Sequence, residues 1–479
     1  MQGVNLGDEN KLCVQSLEAA EKELLSRCKQ LSIIETVQKK TMELLQLCTS
    51  IREISFDTEY PFVDLQNFPA LGYLVKLFLE EAPWLESFEG ICNLPELQAF
   101  RVTGAPLRDD YLHTLSAGRN LVELRLESCN DLTDLSPLAS IKTLKHLFIV
   151  DCVSVKKGIG TLGGLPTLRE LYLSGTSMDS ESLCGLCDTR SLAVLTIVSC
   201  GALEDISLLA TIRTLHYLTV EVCTALKTGA GDIGKLPELY ELDLSYSSIK
   251  DSCLSGLSES HSLRKLVLAS CSNLSDVSSL GTMMTLEYLS LNSCGTVGDG
   301  AGNIGNLPKL RELDLASTNV TDATLKGLCV SRCLSKLNIS ACSNLTDLSP
   351  LVEISTLEEL NIRACMELRR GIGDLGKLPA LRKLDAACTP ITNDLVQELS
   401  VSRSLVILLL DFCVDMTDVS HLANMSTLEE LSINSCVSVT QGVGTLRNLP
   451  RLRNLNMRAV DASEDELTCL REMGVSLLR

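Results

Sequence analysis

Aromatic side chains are scarce, making up 4% of the 479 residues with a single tryptophan. An ordinary globular core of this size recruits more large rings, so the composition favours many copies of one small aliphatic layer over one conventional core. Long apolar runs are also missing. The longest candidate, residues 406–410, is bounded by Asp411 and falls far short of the roughly 18–20 residues needed to cross a bilayer. No membrane insertion is expected. Basic residues are in deficit, with 42 Lys plus Arg against 61 Asp plus Glu, a formal charge of −19 and no basic block. Without concentrated cations to neutralise phosphates, no direct binding of nucleic acid is expected. The opening MQGVNLGDENK is too polar and acidic for a secretory signal, and neither end carries a lipidation box. The expected compartment is therefore cytoplasmic and reducing, where an odd count of 21 cysteines argues against a disulfide framework.

What the chain has in abundance is leucine at fixed spacing. The pattern LxxLxLxx[C/T/S] starts at Leu74, Leu97, Leu121, Leu144, Leu168 and Leu192 and continues to Leu452, giving seventeen units. From Leu121 the intervals run 23, 24, 24 and repeat, so the full period is 71 residues holding three kinds of unit. A weaker eighteenth begins at Ile51, where Ile54 and Phe56 keep the spacing. This is the leucine-rich-repeat motif. It predicts an α/β solenoid, a horseshoe with a parallel β-sheet on its concave face, in which Leu334, Leu337 and Ile339 of one strand stack on Leu357, Leu360 and Ile362 of the next. No single unit can bury such a layer alone, so stability belongs to neighbours. Three segments follow: a helical arm or cap over residues 1–50, with Leu17, Leu24 and Leu31 seven apart; the solenoid over 51–462; and a helical cap over 463–479, opened by a Ser463/Glu466 capping box.

The three units differ in their return segments. The first reads LTDLSPL after the cysteine, and the second turns through glycines, as in residues 158–166. The third predicts a helix every 71 residues, as after Leu310, with Asp322 as cap and Leu325 and Leu328 on one face. Ten cysteines occupy the ninth position of the first two types, among them Cys129, Cys152, Cys271, Cys294, Cys342 and Cys365. Evenly spaced thiols, one layer apart, suit a structural ladder better than metal ligation, which needs convergent geometry.

Several strings imitate chemistry. Residues 229–235 and 371–377 match the glycine-and-lysine core of a phosphate-binding loop, but Leu236 and Leu378 stand where magnesium needs a hydroxyl. Cys184/Cys187 and Cys329/Cys333 have no second half at zinc spacing. The five histidines fall in different layers, and no nucleophile elbow or HExxH helix accompanies them. No enzyme activity, cofactor or metal is expected.

Binding residues are expected on the strand positions that point away from the core. The fifth-position row begins Phe78, Arg101, Arg125, Phe148 and Tyr172, and His146, Tyr217 and Tyr288 add aromatic character in the third-position row. Phe, Tyr and Arg are enriched at interface hot spots, so these eight form the candidate partner-binding face. The alternative is that the rings pack on one another across the ladder. A second, apolar spot comprises Ile407, Leu409 and Phe412.

With the repeats assigned, residues 74–479 resemble the leucine-rich-repeat proteins of trypanosomatids described as adenylate cyclase regulatory proteins. The likeness rests on units of the pattern LxxLxLxSCxNLTDLSPL, on their alternation with GxGxLxxLPxL, and on the ending LPRLRNLNMRAVDASEDELTCLREMGV. The cysteine-bearing unit is also similar to repeats of F-box substrate adaptors. The resemblance implies an intracellular module that binds a protein partner. Some relatives carry an amino-terminal RING finger, for which Cys13, Cys28 and Cys48 are too sparse, and the arm shows no F-box. The leading expectation is a non-catalytic interaction scaffold. Alternatives are a regulatory subunit of a signalling enzyme such as a cyclase, a component of a large cytoskeletal, flagellar or ribonucleoprotein assembly, and a ubiquitin-ligase substrate receptor.

Overall fold

In a computed structural model, residues 11–14, 28–33, 45, 48, 50–57, 70–83, 85, 88–472 and 474–478 are described. The chain divides into two compact units, Met1–Gly229 and Ala230–Arg479.

Within each unit the repeat produces one short strand per period, parallel to its neighbours. Among the described residues the first unit has ten strands, from Lys11–Val14 to Tyr217–Glu221, and the second eleven, from Glu241–Asp243 to Ser476–Leu478. Register is set by the leucines: Leu124 faces Leu147, which faces Leu171, and in the second unit Leu337 faces Leu360, which faces Leu384. All six are buried. A shift by one residue would turn this aliphatic set to solvent, and each buried leucine contributes roughly 1.5–3 kcal/mol. The period read from sequence is therefore the period of the core.

Helical returns recur as expected. Asp251–Leu257, Asp322–Leu328 and Asn393–Leu399 are α-helices 71 residues apart, while the equivalent Ser180–Leu183 is a 3-10 turn. Leu325 and Leu328 are buried, but the cap is Thr321, whose hydroxyl accepts from the Ala323 N–H, and not Asp322. Asp322 begins the helix itself and reaches the following repeat, accepting from the Thr346 N–H at 2.9 Å and the Asp347 N–H at 3.0 Å.

The ends carry strands as well as helix. Where a helical arm is expected, Lys11–Val14 and Gln30–Ile33 pair in parallel, with Leu31 aligned to Leu12 on one side and Ile54 on the other. The aliphatic register thus runs upstream of Ile51. The positions of Leu17 and Leu24 lie outside the described residues. At the other end the Ser463–Glu466 box is present, with the Ser463 N–H donating to Glu466 Oε2 at 2.9 Å, and Glu464–Glu472 is helical. Gly474 (φ 78) then reverses the chain into Ser476–Leu478, which pairs with Asn454–Asn456.

Candidate functional site

The first unit brings five of the candidate residues into one line. Phe78 faces Arg101, Arg101 faces Arg125, Arg125 faces Phe148, and Phe148 faces Tyr172. All five are half-buried on the sheet face that points away from the core. The arginines are held rather than free. Arg101 Nε lies 3.4 Å from Glu80 and its Nη2 3.3 Å from Glu127, to which Arg125 Nε also donates at 3.1 Å. Arg125 in turn lies over the Phe148 ring, 5.8 Å from its centroid, and Phe148 meets Tyr172 at 6.1 Å. Cation–π and ring contacts of this geometry reduce rotamer freedom before any partner arrives. Beside them His146 Nδ1 is 3.0 Å from Glu170.

Glu80, Glu127 and Glu170 are the residues that sequence reasoning missed. The signal was present as period two, since Glu127 follows Arg125 on the same face of one strand.

The remaining candidates do not join this line. Tyr217 is exposed in the third-position row, paired with Val194, and lies two strands beyond Glu170. Tyr288 belongs to the second unit, where the Lys265 ammonium sits 5.5 Å from its ring. There the third-position row alternates in sign. Lys265 contacts Glu241 at 2.6 Å, and Lys336 lies between Glu312 and Glu359 at 3.4 Å each. The hydrogen bond from Lys265 to Glu241 holds that ammonium above its ordinary pKa. Tyr288, Glu312, Lys336 and Glu359, with Asp314 and Asp385, line a groove of about 270 Å³. Ile407 and Leu409 are half-buried on their strand, and Phe412 is 47% exposed just beyond it, at a left-handed position (φ 59).

The cysteine ladder is internal. All ten members are buried. Cys294, Cys365 and Cys436 donate to the carbonyls of Leu268, Ile339 and Leu410 at 2.9–3.1 Å. Third-type units fill the same place with Thr176, Ser247 or Thr318, each within 3.6 Å of the next cysteine sulfur. Burial pushes these three thiols up to about 12, and the thiolate is the reactive form. A disulfide-exchange reagent is expected to modify Cys92 and Cys184, which are exposed, while the ten ladder thiols react only on unfolding. Mass mapping of labelled peptides checks this; rapid native labelling of Cys294 or Cys365 would refute it.

The phosphate-loop imitation also has a packing explanation. Gly371 adopts φ +84, and a Cβ on Gly373 or Gly376 would press on Glu398 or the Leu399 carbonyl. Lys377 binds its own Asp374 at 2.6 Å. No group of three or more metal-ligating side chains occurs among the described residues, and none of their helices is long and apolar enough to cross a membrane.

No family model matches the chain. It is 26% identical over 190 residues to a protein of Trypanosoma equiperdum named "Putative adenylate cyclase regulatory protein", covering 40% of this chain and 30% of that one. It is 31% identical over 252 residues to an Arabidopsis thaliana protein named "Putative disease resistance protein", covering 52% of this chain and 20% of that one. The chain thus matches less than a third of the length of either relative. Among solved structures, TLR13 in its complex with ssRNA13 aligns with a TM-score of 0.61 at 14% identity, over 95% of this chain and 75% of that chain. A leucine-rich-repeat protein of Leptospira interrogans aligns at 0.51 and 15% identity, over 82% and 92%. Motif, strand ladder and structural likeness agree: the chain has the leucine-rich-repeat solenoid fold.

Proposed function

We propose that this protein is a non-catalytic, cytoplasmic interaction scaffold that holds a protein partner on the strand-lined face of its first unit. The observation that carries this reading is the continuous row from Phe78 to Tyr172. It places rings and forked cations side by side, half-exposed and fixed by Glu80 and Glu127. An ordered aromatic and arginine patch loses little side-chain entropy on binding, which is the usual character of a hot spot. The name of the trypanosome relative favours one specific form of the scaffold, a regulatory subunit that binds a signalling enzyme such as a cyclase. Membership of a larger assembly is compatible with the same surface.

The test is a quantitative pull-down with wild-type protein beside Arg101→Ala/Arg125→Ala/Phe148→Ala/Tyr172→Ala, both confirmed as folded by circular dichroism. Loss of about 2 kcal/mol at a hot spot is a weakening of about thirtyfold, so a direct partner should drop out of the variant fraction. If every bound protein survives the change, the row is a structural ladder and the reading fails.

A further inference from the structure

The first unit also carries a strip of cations that composition conceals. Five consecutive turns lead into its strands, residues 119–122, 142–145, 166–169, 190–193 and 213–216, reading RNLV, KTLK, PTLR, RSLA and RTLH. The backbone stacks them: the Arg169 N–H bonds to the Lys145 carbonyl at 2.8 Å and the Ala193 N–H to the Arg169 carbonyl at 2.9 Å, and Thr167 reaches the Lys142 carbonyl at 2.9 Å. Arg119, Lys142, Lys145, Arg169, Arg190 and Arg213 are therefore neighbours on one flank, although about 23 residues separate successive turns. All six are exposed. Among the described residues none of the six has a carboxylate partner, in contrast to most other surface cations of the unit's sheet. The five turns contain no Asp or Glu.

The second unit shows what an ordinary flank of this fold looks like. In the row that Lys145 and Arg169 occupy, the second unit has Arg264, Glu287, Arg311, Ser335, Glu358 and Arg382 along an equivalent hydrogen-bonded stack, and Arg264 pairs with Glu287 at 2.8 Å. One flank neutralises itself and the other does not. Unpaired like charges held side by side repel one another, so the strip in the first unit gains from an anionic ligand.

We infer that this flank binds an extended, acidic polypeptide segment of a partner protein. Four steps of about 4.8 Å give a strip about 19 Å long, the span of about six residues of extended chain at about 3.3 Å each. An Asp/Glu-rich stretch of that length matches the cations in number, and four of the six are arginines, whose planar fork suits carboxylates. Wider polyanions fit less well. The sheet face alongside carries Glu123, Glu127 and Glu170, which oppose a duplex or a lipid surface. No Phe, Trp or Tyr lies in the five turns, so single-stranded bases lack the large rings on which they stack best. The flank and the Phe78–Tyr172 row are separate sets of side chains, so either reading can fail alone.

Fluorescence anisotropy on the full chain tests the inference, with a labelled peptide of alternating and consecutive glutamates as probe and the glutamine version as control. At low ionic strength the glutamate peptide should bind, the glutamine peptide should not, and salt should weaken the binding. Arg119→Glu/Arg190→Glu/Arg213→Glu should weaken it about tenfold or more. Arg363→Glu/Arg369→Glu/Arg370→Glu makes the same change of net charge in the second unit and should leave the affinity within about twofold. The milder Arg119→Gln/Arg190→Gln/Arg213→Gln, checked by circular dichroism, covers the case in which charge reversal unfolds the protein. Equal losses in both reversed variants, no binding by the wild type, or capture of oligouridylate or phosphatidylserine vesicles in place of the peptide would each overturn the inference.

Discussion

Gly160→Ala is expected to destabilise the first unit by about 3 kcal/mol, whereas Gly164→Ala, four residues later in the same turn, should be neutral or stabilising by up to about 1 kcal/mol. Both glycines lie in the 3-10 return Gly160–Gly164. A Cβ on Gly160 would overlap the carbonyl oxygen of Cys184 in the next repeat, and one on Gly163 would overlap that of Gly185. Those obstacles are backbone, so the new methyl cannot be accommodated by a rotamer change, and the two returns must separate. Separation breaks the layer contact on which a solenoid depends. Around Gly164 nothing lies within 4 Å, and there alanine only restricts the unfolded chain. Urea unfolding of the two variants beside wild type distinguishes the cases. Equal midpoints for both would show that the turns do not touch as described.

The same glycines show how much of the fold was legible. Glycine at the positions of Gly158 and Gly160 recurs plainly in every second-type unit, and Gly158, at φ +81, adopts the left-handed turn that the spacing implied. Their second role, close approach of one repeat's return to the next, was not legible because it depends on which backbone lies opposite. The helix after Leu310 lies where the spacing puts it, but its cap is one residue earlier than the sequence suggests. Thr321 caps, and Asp322 is released to bond across to Thr346.

At the candidate site the pattern was informative in one direction only. Phe78 to Tyr172 could be aligned by counting, because a ladder in register converts equal sequence position into spatial neighbourhood. The glutamates that fix the arginines lie on the strand ends two residues further along and were overlooked. The cation strip was hidden for a different reason. A search for basic blocks examines neighbours in sequence, while Lys145 and Arg169 become neighbours only by stacking. Tyr288 shares its row position with His146 and Tyr217 but belongs to the second unit, where it pairs with Lys265.

Acid should unfold this protein progressively, and the reason is the repeated carboxylate staple. Asp109 accepts from the Thr133 N–H at 2.7 Å and the Asp134 N–H at 3.0 Å; Asp251 accepts from the Ser275 N–H at 2.8 Å, and Asp322 does the same at Thr346. Burial alone would raise these three carboxyls, but the hydrogen bonds from the hydroxyl and N–H groups outweigh it and hold all three below the usual range. Asp179, Asp347 and Asp418 are also held low, each first by a serine hydroxyl. A carboxyl whose folded pKa is depressed stabilises the fold fully above its unfolded value of about 3.9, and that stability disappears as pH falls through the folded value. All six carboxylates, three of them bonding across repeats and three within their own turns, are partly solvated, so each contributes about 0.5–1 kcal/mol after allowance for screening, and together roughly 3–6 kcal/mol. The urea midpoint is therefore expected to stay level from neutral pH to about pH 5 and to fall steeply below about pH 4. Nature supplies the control at Asn393, which makes the equivalent bond to the Thr417 N–H at 2.9 Å without a titrating group. Asp322→Asn should accordingly keep most of the neutral-pH stability and show a shallower acid slope, whereas Asp322→Ala should lose stability at every pH above the transition. A midpoint that is the same at pH 3 and pH 7 would mean that these carboxylates are not staples, and that the repeats are held together by their leucines alone.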